Sequence, residues 1–212
     1  MSIPGLSCPP DRRTIFSISM SRRTMIIGAG AAMIGATIPV YRGYAATDPA
    51  STPSRDGSVL DVLVPNIRPE IAIENTHTDE RVDVTYYDRT LGYDHDALEQ
   101  INWIFRDWRR DEEKATDPRL LWGLSAIAQA SQQEGHSGVI RLNSGFRTPE
   151  TNASLNGAVP NSLHIEARAA DLTLEGIPVQ QVSNYAEWLE VGGVGHYPNS
   201  FTHVDTGRRR RW

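Results

Sequence analysis

Apolar residues in the middle of the chain recur at three- and four-residue intervals: Leu98, Ile101, Ile104, Phe105 and Trp108 mark an amphipathic helix over residues 96–111. Asp94 or Asp96 supplies its N-cap. A polar break over 112–117 leads to Pro118, a residue suited to the first turn of a helix. Leu120, Leu121, Leu124, Ile127 and Ala128 then carry a second helix to about Glu134, where Gly135 and Gly138 end it. After that the pattern shortens. Residues 139–142, 169–173, 191–197 and 202–206 read as strands, the last two flanking Pro198-Asn199-Ser200 as a hairpin. Residues 149–156 suit a short helix, and Val179, Val182, Tyr185, Ala186 and Leu189 a longer one over 178–190. Upstream, 81–87 alternates as a strand, and 59–64 reads as a short one. Helices come first and strands cluster late, which predicts an α+β domain with a mainly antiparallel sheet. The Trp and Leu stripes belong to its core.

The beginning of the chain has a different character. Ser21-Arg22-Arg23-Thr24-Met25 sets an arginine pair before an apolar, Gly/Ala-rich run over 25–40, which is too short and too small-residue-rich to span a membrane comfortably. Gly43-Tyr44-Ala45 follows as a small-x-small cleavage pattern, so 1–45 is expected to be a twin-arginine export signal, with a periplasmic destination. Residues 46–58 are small, polar and Pro-containing, a flexible linker, and leave 59–212 as the folded domain.

Charge sharpens this division. The whole chain carries a net charge of −5. Removing 1–45 takes away Arg12, Arg13, Arg22, Arg23, Arg42 and Asp11, leaving 16 basic against 25 acidic side chains and a net charge of −9. Such a domain favours neither nucleic acid nor an anionic membrane face. The single cysteine, Cys8, leaves with the signal, so no disulfide framework is available and stability must come from packing and a metal. A monomer with no membrane span in the mature form is expected.

The chemistry concentrates late. His164 and Asp171 lie in Ser162-Leu163-His164-Ile165-Glu166-Ala167-Arg168-Ala169-Ala170-Asp171, and Phe201-Thr202-His203-Val204-Asp205 adds a second imidazole and another carboxylate. Two His and one Asp with a position left for water make a catalytic zinc site. The separation of His164 and Asp171 excludes the one-turn helical His-Glu-x-x-His arrangement. A bend after His164 enters the strand that carries Asp171, while His203 and Asp205 at i and i+2 share a strand face. His164, Asp171 and His203 are the expected zinc ligands.

Taken with Ser144-Gly145-Phe146-Arg147-Thr148-Pro149 and Gly192-Gly193-Val194-Gly195, these stretches resemble the YcbK-like murein endopeptidase branch of the zinc DD-peptidase superfamily, from about Asp94 to Trp212. The resemblance implies a fold shared with the hedgehog signalling domain and hydrolysis of peptide bonds in peptidoglycan, whose peptides would be the partner. Two positions depart from the family pattern: Ala167 stands where Gly is usual, and His196 where Tyr usually precedes Tyr-Pro. The first matters because Gly is favoured where φ is positive. The resemblance also implies that Arg147 faces substrate, where a guanidinium can grip a carboxylate or an oxyanion through a planar fork, with Ser144 assisting.

The general base is the open position. Several relatives have Glu or His a few residues before the last zinc His, where this chain has Asn199, Ser200 and Phe201. Asp205 is expected to serve either as base or as the carboxylate that orients His203, and His196, across the hairpin from His203, as a helper. Glu166 is given no role, and His77, His95 and His136 lie outside the motif set. Arg208-Arg209-Arg210-Arg211 reads either as a contact for anionic wall polymer or as a solvated tail, and the glycines of 192–195 as room for close backbone approach. A second function remains open: a non-catalytic, zinc-stabilised domain that binds wall peptide or a protein partner.

Overall fold

The computed structural model describes residues 57–212; the expected export signal, and all but the last two residues of the expected linker, lie outside them. Helix α1, Val59–Leu63, opens the described chain where the sequence predicts a strand. The correction has a local cause: Ser58 caps the helix by accepting from the Asp61 N–H at 3.2 Å, and Arg119 pairs with Asp61 and donates to Ser58 at 2.9 Å. Ser58 is fully buried and belongs to the fold.

Strands β1 (Glu70–Asn75) and β2 (Arg81–Thr85) form a hairpin, and two short strands, β3 (Tyr87–Asp88) and β4 (Gly92–Tyr93), make a separate ribbon. Helix α2, His95–Phe105, is capped by Asp94. It stops three residues before Trp108, which the sequence places on the helix. The chain leaves at Arg106, whose guanidinium is drawn to Glu80 at 2.7 Å and Asp111 at 3.2 Å. Asp107 then turns away to accept from the Thr148 N–H and hydroxyl, at 3.0 and 2.9 Å. Trp108 instead stacks on His77, with the Arg109 guanidinium 4.3 Å from its ring. Helix α3, Pro118–Gln133, matches its predicted bounds, with Asp117 as cap.

The remaining elements are β5 (Ile140–Ser144), α4 (Pro149–Ser154), β6 (Ala169–Leu174), α5 (Val179–Leu189), β7 (Gly193–Tyr197), β8 (Phe201–Asp205) and β9 (Arg210–Arg211). Seven strands form one sheet in the order β2-β1-β5-β6-β8-β7-β9, antiparallel except for β1 beside β5 and β7 beside β9. Helices beside a mostly antiparallel sheet agree with the expected α+β class. No helix among the described residues is long and apolar enough to cross a membrane.

Register decides what the two faces of this sheet carry. Ser144 pairs with Asp171, Asp171 with His203, and His203 with Gly195, so one row crosses four strands on a single face. The neighbouring rows, Leu172 with Thr202 and His196, and Ala170 with Val204 and Val194, belong to the other face. That face is covered by α5: Thr202 donates to the Val179 carbonyl at 3.1 Å, and Leu172, Val182, Ala186 and Val204 are fully buried. Burying each such Leu or Val contributes about 1.5–3 kcal/mol relative to exposure. The apolar face therefore anchors the sheet, and the opposite face is left to carry polar groups.

Candidate metal centre

The row across β5, β6, β8 and β7 supplies two of the three expected ligands, Asp171 and His203, from adjacent strands. His164 comes from the turn before β6. That turn is tied to the Arg147 loop by the Arg147 N–H donating to the His164 carbonyl at 3.1 Å, and it closes on itself through the Ala167 N–H. Ala167 takes a φ of +54°, the left-handed conformation in which an L side chain is strained. An Ala167→Gly variant relieves roughly 1–2 kcal/mol of that strain and returns about 0.4–1 kcal/mol through a freer unfolded chain. The expected result is a small net stabilisation, read as a higher urea midpoint with unchanged slope.

Three atoms able to ligate a metal converge: His164 Nε2, Asp171 Oδ1 and His203 Nδ1. The imidazole nitrogens lie 3.2 Å apart, and Asp171 Oδ1 is 3.2 Å from His164 and 2.8 Å from His203. His164 and Asp171 are buried and His203 nearly so, and the group has the composition and closeness of a metal site. Each ligand's other polar atom is already held. His164 Nδ1–H donates to the Gly145 carbonyl at 2.7 Å, which leaves Nε2 without a proton. His203 Nε2–H donates to Asp205 at 3.1 Å, which leaves Nδ1 facing Asp171. Asp171 Oδ2 pairs with the Arg147 guanidinium, whose Nε donates to Ser144 at 2.8 Å. Gly145 can bring its carbonyl there because it lacks a side chain: a Cβ would stand 2.4 Å from the Phe105 carbonyl oxygen.

Two ring nitrogens and a carboxylate oxygen turned toward one another are three acceptors facing a common point. Only a proton or a cation between them removes the repulsion. The titration behaviour follows from this crowding. Burial pushes Asp171 up, but the two imidazoles outweigh it and hold the carboxyl far below its usual range. Burial lowers His164, with Asp171 opposing it in part. Burial also works against charge on His203, yet hydrogen bonds to Asp171 and Asp205 outweigh it and raise this imidazole.

Asp205 is fully buried behind His203 and surrounded by donors. Its Oδ1 accepts from the Gly193 and Gly207 N–H groups at 3.0 and 2.7 Å, and its Oδ2 from His203 and, at 2.6 Å, Arg210. Burial pushes this carboxyl up, but His203, Arg210 and the Gly207 N–H together hold it well below the ordinary value. It does not line the cavity. Its Oδ2 faces His203 Nε2 from behind.

His196 requires a correction. It pairs with Thr202, one position out of register with His203, and its Nδ1 lies 3.1 Å from the Ser183 hydroxyl on α5. A one-residue offset on a strand places a side chain on the opposite face, so His196 is not part of the metal centre. The arginine run is exposed but anchored. Arg209 pairs with Glu190, Arg211 with Glu187, and Arg210 grips Asp205, while β9 joins the sheet. Arg210 was not legible as a site residue, because four successive arginines carry no signal of which one turns inward.

The metal row opens into a cavity of about 560 Å³, whose lining includes Arg147, Asn156–Val159, His164, Asp171, Tyr197, Phe201, His203, Arg210 and Trp212. Ser144 reaches it only through Arg147. Beside His203, glycines in and just before β7 permit close packing: a Cβ on Gly192 would stand 2.1 Å from the Asp205 carbonyl oxygen, and one on Gly195 2.8 Å from the Trp212 ring.

The family model described as "Peptidoglycan L,D-endopeptidase MepK" matches residues 65–212. The peptidoglycan L,D-endopeptidase MepK of Escherichia coli K12 is 34% identical over 154 residues, spanning 68% of this chain and 81% of that protein. The protein of the same name from Shigella flexneri matches to the same extent. The probable peptidoglycan L,D-endopeptidase MepK of Haemophilus influenzae is 33% identical over 161 residues, spanning 73% of this chain and 84% of that protein.

Proposed function

The chain belongs to the peptidoglycan L,D-endopeptidase MepK family, and from that membership we propose that it is a zinc peptidase hydrolysing peptide cross-links of peptidoglycan. The observation that carries the reading is the convergence of His164 Nε2, Asp171 Oδ1 and His203 Nδ1, each with its remaining polar atom already held. Their separations of 2.8–3.2 Å are close to the roughly 3.4 Å edge of a tetrahedron with ligand bonds of about 2.0–2.1 Å. Two nitrogens and one carboxylate oxygen form a donor set that zinc would take readily, and all three residues line the cavity.

Zinc, when bound, lowers the pKa of its water toward about 7 and polarises the scissile carbonyl. The protein's own residues supply the rest. Asp205 holds His203 in the tautomer that presents Nδ1, and Gly145 does the same for His164 Nε2. Arg147 holds the outer oxygen of Asp171 and lines the cavity, where its charge favours a substrate carboxylate or carbonyl. Replacing it by Lys substitutes a point charge for a planar fork. Arg147→Lys is expected to keep its zinc by metal analysis and to lose on the order of ten- to a hundredfold in kcat/KM on a cross-linked muropeptide. Unchanged kinetics would assign Arg147 a purely structural role.

The fold is of the hedgehog and DD-peptidase type, supported by the order of site-bearing elements. Export follows the twin-arginine route, from Arg22-Arg23 and the apolar run behind them, into the periplasm where the substrate lies. The direct test is incubation of the exported domain with purified sacculi, with and without chelator. Muropeptide release that chelator abolishes and zinc restores supports the peptidase. No release from fully zinc-loaded protein leaves the zinc-stabilised binding domain in its place.

A further inference from the structure

Tyr197 occupies the cavity face of the sheet, on the same side as His203, because Gly195 pairs with His203 and Tyr197 stands two residues further along β7. It is 40% exposed, yet it is not loose. Its ring packs against Phe201 at 4.5 Å, and its hydroxyl lies 3.0 Å from Trp212 Nε1. Trp212 is itself fixed. Its N–H and carbonyl pair with Val194 and His196, and its ring lies in the space left by Gly195, 5.3 Å from the His203 ring and 4.7 Å from the Arg210 guanidinium.

An indole N–H can only donate, so in this pair the phenol oxygen must accept. The phenol's own proton is therefore left for another acceptor. Accepting a hydrogen bond also makes a hydroxyl a stronger donor, since linked hydrogen bonds polarise one another. Tyr197 lines the cavity together with His164, Asp171, His203 and Arg147. Arg147, by contrast, has Nε and Nη2 engaged by Ser144 and Asp171. Among the described residues lining the cavity, Tyr197 is thus a neutral donor held in place, with its hydrogen unspent.

We propose that Tyr197 donates a hydrogen bond to the oxygen of the scissile carbonyl as that oxygen gains charge, and that Trp212 is the positioning residue that holds and polarises the phenol. The proposal deepens the peptidase reading and rests on it. No bond to Tyr197 forms and its proton is not transferred. Water adds to the carbonyl carbon, and the phenol stabilises the negative oxygen until the C–N bond breaks. The proton lost by the water leaves with the amine.

Tyr197→Phe removes the donor and keeps the ring. In the zinc-loaded protein, kcat on a purified cross-linked muropeptide is expected to fall by roughly 10²–10³-fold, the cost of losing one oxyanion donor. KM, zinc content and melting temperature should stay near those of the parent. Trp212→Phe, which fills the space over Gly195 without an N–H, should lose less. The Tyr197→Phe/Trp212→Phe double variant should be no slower than Tyr197→Phe alone, because both act through one hydroxyl. A phosphinic peptide resembling the tetrahedral state should bind Tyr197→Phe more weakly than the parent, in proportion to the kcat loss. Full kcat in Tyr197→Phe, or independent losses that multiply in the double variant, would overturn the proposal while leaving the peptidase standing. A parent protein that holds zinc and releases nothing would overturn both.

Discussion

Replacing His164 by alanine is expected to remove most bound zinc and, with it, all chelator-sensitive release of muropeptides. His164 is 1% exposed, and its ring is gripped from behind by the Gly145 carbonyl, so no neighbouring side chain can take its place. Two remaining ligands hold zinc poorly, and the free energy of binding falls with each one lost. The loss in affinity should exceed the roughly 10–100-fold typical of an outer hydrogen-bond partner. Asp171→Ala and His203→Ala should behave alike, with one difference. Asp171→Ala also frees the Arg147 guanidinium into the cavity, so its apo form should differ from the parent more than that of His164→Ala. The measurement is zinc content after dialysis against a chelator of known affinity, with circular dichroism to confirm folding. Stoichiometric zinc in folded His164→Ala would place the metal elsewhere and dismantle the proposed mechanism from its base.

Asp205→Asn should produce a loss of another kind. Every neighbour of this carboxylate is a donor: Gly193 N–H, Gly207 N–H, His203 Nε2–H and the Arg210 guanidinium. An amide in the same space must turn its NH₂ toward one of them, leaving a buried donor facing a donor, which costs about 1–3 kcal/mol. Stability should therefore drop even without metal. Zinc affinity should fall by roughly 10–100-fold, because His203 exchanges a charged acceptor for a weaker, neutral amide oxygen. Excess zinc should then recover much of the hydrolysis rate. A rate that stays low at saturating zinc, in a folded protein, would mean that Asp205 moves a proton in the reaction, contrary to its burial behind His203.

The chemical types of the site were legible along the chain. His164, Asp171 and His203 stand out by kind and order, and the helix over 118–133 by its apolar period and its Asp117-Pro118 start. These features survive because they depend on local spacing or on which atoms a residue owns. The strand read at 59–64 failed for a local reason too. Leu60 and Leu63 stand three apart, a helical interval that an alternating strand would send to opposite faces, and the Ser58 cap, braced by Arg119 from α3, favours the helix.

What the sequence by itself determined, then, is the candidate ligand set, the α+β class and the family. Which side chains share the cavity was decided only by tertiary structure. His196 and Tyr197 are adjacent, and either can be argued for from its chemistry. The pairing of Gly195 with His203 sends Tyr197 to the metal face and His196 beneath α5. Nothing within 196–197 encodes that register, because it is set by the rows that β7 and β8 bury against α5. Arg210 is singled out from four arginines in the same way. Strand β9 runs beside the glycines of β7, close enough for its guanidinium to reach Asp205, and no local pattern marks that approach. Residue type is a property of the chain, but a face and a distance exist only once distant strands have paired.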